Sequence, residues 1–170
     1  NANGSTTSPT FYYGDGRWSD YSVHANPWPV TGWSDTPVSA TLTGLKGHTA
    51  YYINLFGSNA VGSDYGGVGS AIGFTTLNTV PAASDSFSHL NEDEETFIPL
   101  TTSDVDDDVL TATVVTPPAH GTVNFYTAST EPFAICTPEA NYTGVDQFSF
   151  EVSDGFGGTS TTATTTVNVN

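Results

Sequence analysis

One pattern runs through nearly the whole chain. Short stretches of β-branched and aromatic residues alternate with polar ones and are cut every several residues by Gly, Pro, Thr or Ser. A period of two puts successive side chains on opposite faces of a strand, and frequent turn residues keep every strand short. "TAYYINLFGSN" (49–59) sets Tyr51, Ile53 and Leu55 against Tyr52, Asn54 and Phe56. "STTATTTVNVN" (160–170) sets Ala163, Thr165, Val167 and Val169 on one face. Helix signals are nearly absent. The chain is expected to be all-β, built of antiparallel β-sandwiches.

The other strand candidates fall into two groups. The first holds "PTFYYG" (9–14), "SATLTGL" (39–45) and "SAIGFTTL" (70–77). The second holds "TFIPL" (96–100), "LTATVV" (110–115), "GTVNFY" (121–126), "FAICTP" (133–138) and "DQFSFEVSD" (146–154). Between them lies "TTLNTVPAASD" (75–85), where a strand gives way to Pro81, small residues and an acidic region. A boundary near Asn78–Val80 divides the 170 residues into modules 1–78 and 79–170.

Charge narrows the function. Lys plus Arg number 2 against 18 Asp plus Glu, a net charge of −16. A chain this poor in cations has no basic face with which to release counterions from a nucleic acid or to dock on anionic lipid. No apolar run reaches the length of a membrane span. Only 12% of residues are charged, so the surface is largely Thr, Ser, Asn and Gly. That composition is common among proteins secreted into salty media, and a secreted, extracellular or cell-surface location is expected. Cys136 is the single cysteine, which rules out an internal disulfide. With no methionine, the chain is expected to be a processed product or a piece of something longer.

"SDVDDDVLT" (103–111) concentrates four aspartates in five positions, with almost no Lys or Arg to offset them. In an extended segment Asp104, Asp106 and Asp108 alternate and so point the same way. Calcium takes six to eight oxygen ligands, mostly carboxylate and carbonyl. A calcium site is expected here, with Glu92, Asp93 and Asp154 as further candidate ligands. The alternative is a solvated acidic turn at a strand start. The stretch lacks the Gly and closing Glu of an EF-hand loop.

Catalytic constellations are missing from the sequence. His24, His48, His89 and His120 are scattered across turns, and neither G-x-S-x-G nor H-E-x-x-H occurs. Cys136 sits inside a strand pattern, and no Cys–His set could hold zinc. No enzyme is expected. Trp18, Trp28 and Trp33 crowd one segment with Tyr12, Tyr13 and Tyr21. Exposed, Trp18 and Trp28 would form a carbohydrate-binding platform. The plainer reading makes one Trp the core of a sandwich and the others braces of a long loop.

Two stretches resemble known modules. "LTGLKGHTAYYINLFGSNAVG", with Leu45, Thr49, Tyr51, Asn59 and Gly62, resembles the second half of a fibronectin type III domain. "FYYGDGRWSDYSVHANPW" resembles the third strand of a bacterial variant of it. This resemblance implies a first module lacking its first two strands, with Tyr51 as a tyrosine corner bonded back to the turn backbone. From about Pro81 to Asn170 the chain resembles the bacterial cadherin-like or Ig-like tandem repeats of large secreted adhesins. The matching features are Pro81, Asp85, Glu92–Asp93, Asp104–Asp106–Asp108, "PPAHGTV" and "CTPEANYTGVDQFSFEVSDGFGG". Cys136 stands where the family usually has Tyr. Asp107 stands where it usually has Gly, which predicts a looser turn.

The second resemblance implies acidic turns that meet at one end of the sandwich and a non-catalytic, calcium-stabilised module of an extracellular fibre, adhesin stalk or surface matrix. Its partners would be neighbouring copies or adjacent modules of the same protein, and the unpaired strand edges of an incomplete first module would invite strand addition between them. The alternative is an accessory carbohydrate-binding region of a secreted enzyme, with glycans as partners.

Overall fold

The computed structural model describes residues 4–16, 20–66, 71–127 and 131–170. Among these the chain is all-β, and no helix is long and apolar enough to cross a membrane. It divides into two compact units, Asn1–Leu77 and Asn78–Asn170.

The first unit is one antiparallel sheet of β1 (Ser8–Gly14), β2 (Tyr21–His24), β3 (Ala50–Asn59), β4 (Gly62–Gly66) and β5 (Ile72–Thr75). Its order is β2-β1-β3-β4, with β5 also on β3. The alternation in β3 is realised: Tyr51 is buried and Tyr52 is half exposed. Asn59 turns β3 into β4 because its Oδ1 accepts the N–H groups of Val61 (2.9 Å) and Gly62 (3.1 Å). The Tyr51 hydroxyl accepts the N–H of Lys46 at 2.9 Å, the bond of a tyrosine corner.

One sequence expectation differs here. Residues 39–45 alternate but form no strand. Their stretch offers only a bridge between Ser39 and Asn26, and a strand without a neighbour to ladder with has nothing to satisfy its backbone. Of the three Trp candidates for the core, Trp18 lies outside the described residues and the other two are not buried. Trp28 and Trp33 sit in the loop between β2 and β3, outside the sheet, and the buried aromatics are Tyr13 and Tyr51.

The second unit holds β6 (Ala82–Ala83), β7 (Ser86–Leu90), β8 (Thr96–Pro99), β9 (Thr102–Ser103), β10 (Thr111–Thr116), β11 (Gly121–Thr127), β12 (Pro132–Pro138), β13 (Gly144–Ser153) and β14 (Ala163–Val169). One sheet runs β10-β13-β14-β7 and the other β11-β12-β8, with β6 and β9 as a small third pair. Their inward faces meet in a core that includes Leu90, Ile98, Leu110, Ala134, Cys136, Phe148, Phe150 and Val152. Ala163, Thr165, Val167 and Val169 are all buried, so the C-terminal strand closes its own sheet. All ladders are antiparallel except β7 on β14, which is parallel over Ser86↔Thr165 to Leu90↔Val169. Gly121 (φ 143) is needed where β11 meets Pro138, since a Cβ there would run into the Thr137 carbonyl oxygen.

Strand directions define two ends of this sandwich. The lead-in at Asn78, the β9–β10 loop, the β11–β12 turn and the turn after β13 lie at one end. The β7–β8 turn, the β10–β11 turn, the β12–β13 loop and Asn170 lie at the other.

Candidate metal centre

The β9–β10 loop winds around Asp104. Its Oδ1 accepts the N–H of Asp106 at 2.8 Å and of Asp108 at 3.4 Å. This Asx-type turn puts Asp107 in the left-handed region (φ 60), which Asp tolerates better than most residues. The turn therefore forms without the glycine usual at that position. One ligand oxygen from each of Asp104, Asp106 and Asp108 lies within 4.8 Å of the others. Calcium–oxygen distances of 2.3–2.6 Å put opposite ligands about 5 Å apart, so these three oxygens fit a single calcium shell. A cleft of about 210 Å³ opens beside them, lined by Thr102, Ser103, Asp104, Asp107, Asp108 and Glu131.

Several groups here fit a cation better than they fit one another. Asp106 is buried, and its Oδ2 accepts the N–H of Thr79 at 2.8 Å. Three buried side-chain oxygens, Oδ1 of Asn78, Oγ1 of Thr102 and Oδ2 of Asp104, make no hydrogen bond. A buried acceptor left bare costs roughly 1–3 kcal/mol, and a hard cation relieves it. Of the 18 acidic residues only Asp15, Asp20, Asp35 and Asp64 precede Asn78; the other fourteen share residues 78–170 with no Lys or Arg.

Asp154 lies at the same end but plays a different part. Its Oδ1 accepts the N–H groups of Phe156 (2.7 Å) and Gly158 (3.0 Å), and its Oδ2 accepts Asn78 Nδ2–H at 2.7 Å. Burial pushes its pKa up, but the bonds from Asn78, Phe156 and Gly158 outweigh this and hold the carboxyl below its usual range. Glu92 and Asp93 are elsewhere. They occupy the β7–β8 turn at the far end of the sandwich, where Glu92 N–H meets the Asn170 carbonyl and Asp93 Oδ1 accepts Asn141 N–H (both 2.9 Å). The acidic turns thus do not all meet at one end, because β7 carries the chain across the module before Glu92 is reached.

Two residues passed over by sequence reasoning matter. Asn78 joins Asp154 across 76 positions, which no local pattern signals. Asp146 sits in a strand alternation where Asp reads as an outward polar residue, yet it is buried. Of the aromatic candidates, Trp18 lies outside the described residues. Trp28 is 48% exposed, its indole resting on the His24 ring (centroids 4.5 Å apart). Trp33 is 78% exposed and lies against Gly4.

The chain is similar to an endo-fucoidan hydrolase of glycoside hydrolase family 107 (18% identity, TM-score 0.44), over 73% of this chain and 19% of that one. It is also similar to Drosophila N-cadherin EC1-3 (14%, TM-score 0.42), over 94% and 55% of the two chains, and to titin (11%, TM-score 0.42), over 97% and 84%. It spans about a fifth of the hydrolase chain's length. No curated protein matches it. The bacterial Ig domain family matches residues 78–170, the whole of the second unit. Through that module the chain belongs to the bacterial Ig domain family.

Proposed function

We propose that the chain is a non-catalytic structural region of an extracellular fibre, adhesin stalk or surface matrix, and that calcium stabilises its Ig module. The observation that carries this is the cluster of Asp104, Asp106 and Asp108 beside bare buried oxygens, in a module without one Lys or Arg. Asp104, Asp106 and Asp108 supply carboxylate ligands, and Asp154 braces the same end. The first unit is a fibronectin type III-like half-sandwich. Its tyrosine corner supports this, and so does its single sheet with little buried on it, Tyr13 and Tyr51 being the buried aromatics among the described residues of the unit. A neighbouring copy or module adds strands to that sheet.

Calcium that binds only the folded state adds about 2.7 kcal/mol at a hundredfold excess over Kd. Millimolar calcium should therefore raise the melting temperature of the Ig module, and chelator should reverse it. Sodium chloride at matched ionic strength should give only the smaller gain of screening. The double variant D104N/D108N should lose the calcium response. Identical melting curves in calcium and in chelator would overturn the calcium reading.

A second reading, a carbohydrate-binding role, draws on the exposure of Trp28 and Trp33. Binding on a glycan array that disappears in Trp28→Ala would establish it; an array without binding would remove it.

A further inference from the structure

We infer that the Ig module pairs edge to edge with a second copy of itself through β11, in an antiparallel register centred on Asn124. This lies beyond the strand addition proposed for the first unit, which concerns another sheet. Among the described residues β11 has a neighbouring strand on one side alone, β12. The prolines of β12 show which backbone groups that leaves over. A residue pair that exchanges both ladder bonds needs an N–H on each strand. Pro138 and Pro132, opposite Gly121 and Thr127, have none. Thr122, Asn124 and Tyr126 therefore make the bonds to β12. Two flanking bonds keep the same phase. Glu139 N–H meets the His120 carbonyl, and the Pro132 carbonyl accepts Leu100 N–H on the side away from β11. The N–H and C=O groups of Gly121, Val123, Phe125 and Thr127 thus point to the open edge.

The other edges of this sandwich are blunted. β8 ends in Pro99, β10 has a register shift between Val114 and Thr116, and β7 runs into the acidic residues 92–95. β11, GTVNFYT, has no Pro, no charge and no register shift, and its residues favour strands. The module has fourteen acidic side chains and no Lys or Arg, and this neutral strand lets two copies meet without setting carboxylate against carboxylate along it. Full overlap of the seven residues sets the register. Gly121 faces the copy's Thr127 and Val123 the copy's Phe125, all with outward N–H and C=O groups. Asn124 then faces its own counterpart, amide to amide. Tyr126, 49% exposed and stacked on Phe133 (centroids 5.6 Å apart), lies beside the copy's Thr122. Such a contact is isologous and closes as a dimer.

The test uses the full chain in about 0.5 M salt, where repulsion between copies is screened. Asn124→Cys should crosslink to its counterpart under mild oxidation, since facing residues of this class lie about 4.5 Å apart at Cα. Buried Cys136 stays out of the exchange. Thr122→Cys alone should not crosslink, because its counterpart lies roughly 13 Å away along the strand. A mixture of Thr122→Cys and Tyr126→Cys chains should give the crosslinked heterodimer. In sedimentation, Asn124→Asp should weaken association on the order of tenfold or more by setting like charges face to face. Equal crosslinking of Asn124→Cys and Thr122→Cys, or no association of wild type at millimolar concentration, would overturn the inference. Association unchanged in Asn124→Asp would overturn it too and leave the first unit's sheet as the point of contact.

Discussion

Three backbone N–H groups converge on the carboxylate of Asp146: Ala119 (3.0 Å) and Gln147 (2.8 Å) on Oδ1, and His120 (2.7 Å) on Oδ2. One side chain thereby ties the "PPAHG" turn to β13. Burial pushes the Asp146 pKa up, but these bonds and the nearby His120 outweigh it, and the carboxyl sits below its usual range. A depressed folded pKa stabilises the protein above the unfolded value of about 3.9, and that gain is lost as pH falls through the folded value. Asp146→Asn keeps the shape but loses the charge and one acceptor. It should cost about 2 kcal/mol at pH 7 in a urea unfolding experiment. Below about pH 4 the gap between wild type and variant should shrink as the wild-type carboxyl takes up its proton. A gap unchanged between pH 7 and pH 3 would show that Asp146 acts by packing alone. The same charge touches Cys136: burial, and then Asp146, push the thiol up, so it remains protonated and behaves as a small core hydrophobe.

Among the strands, β13 and β14 could be read from the sequence because an uninterrupted alternation meets a buried face on every second residue. β2 and β4 could not, since four or five residues with Gly or Ser among them carry too little pattern. Residues 39–45 show the reverse: a good pattern gains nothing without a partner strand. The candidate centre divides in the same way. The crowding of aspartates in one short stretch pointed to Asp104, Asp106 and Asp108, although the loop brings them together by winding around Asp104 and not by extending. Glu92 and Asp93 were misplaced, because nearness in sequence does not say which end of a sandwich a turn occupies, and Asn78 needed the folded chain to meet Asp154. β3 offers an element-level check. Tyr51→Phe removes only the hydroxyl that receives Lys46 N–H and should destabilise the first unit by about 1 kcal/mol, with its sheet intact by circular dichroism. An equal melting temperature would mean that water replaces the bond without loss.

Across the whole molecule, charge and architecture divide the labour. Residues 78–170 carry fourteen acidic side chains and nearly all of the large buried core, whereas the first unit carries both basic residues and few buried side chains. Self-repulsion on that scale favours solubility but opposes compaction, and the Ig module offsets it with burial and carboxylate hydrogen bonds. The parallel register of β7 on β14 has a mechanical consequence. A tensile load applied through Asn78 and Asn170 drags β7 toward its start and β14 toward its end, so the two strands slide along their common axis. The ladder from Ser86↔Thr165 to Leu90↔Val169 is then loaded in shear, all rungs at once. A load applied through Asn91 and Asn170, at one end of both strands, would peel the rungs apart one by one. Single-molecule pulling should therefore find a higher rupture force for the first pair of handles than for the second. Equal forces would place the mechanical clamp elsewhere in the sandwich. Loaded along its strands, this module resists as a rivet row does, by sharing the pull.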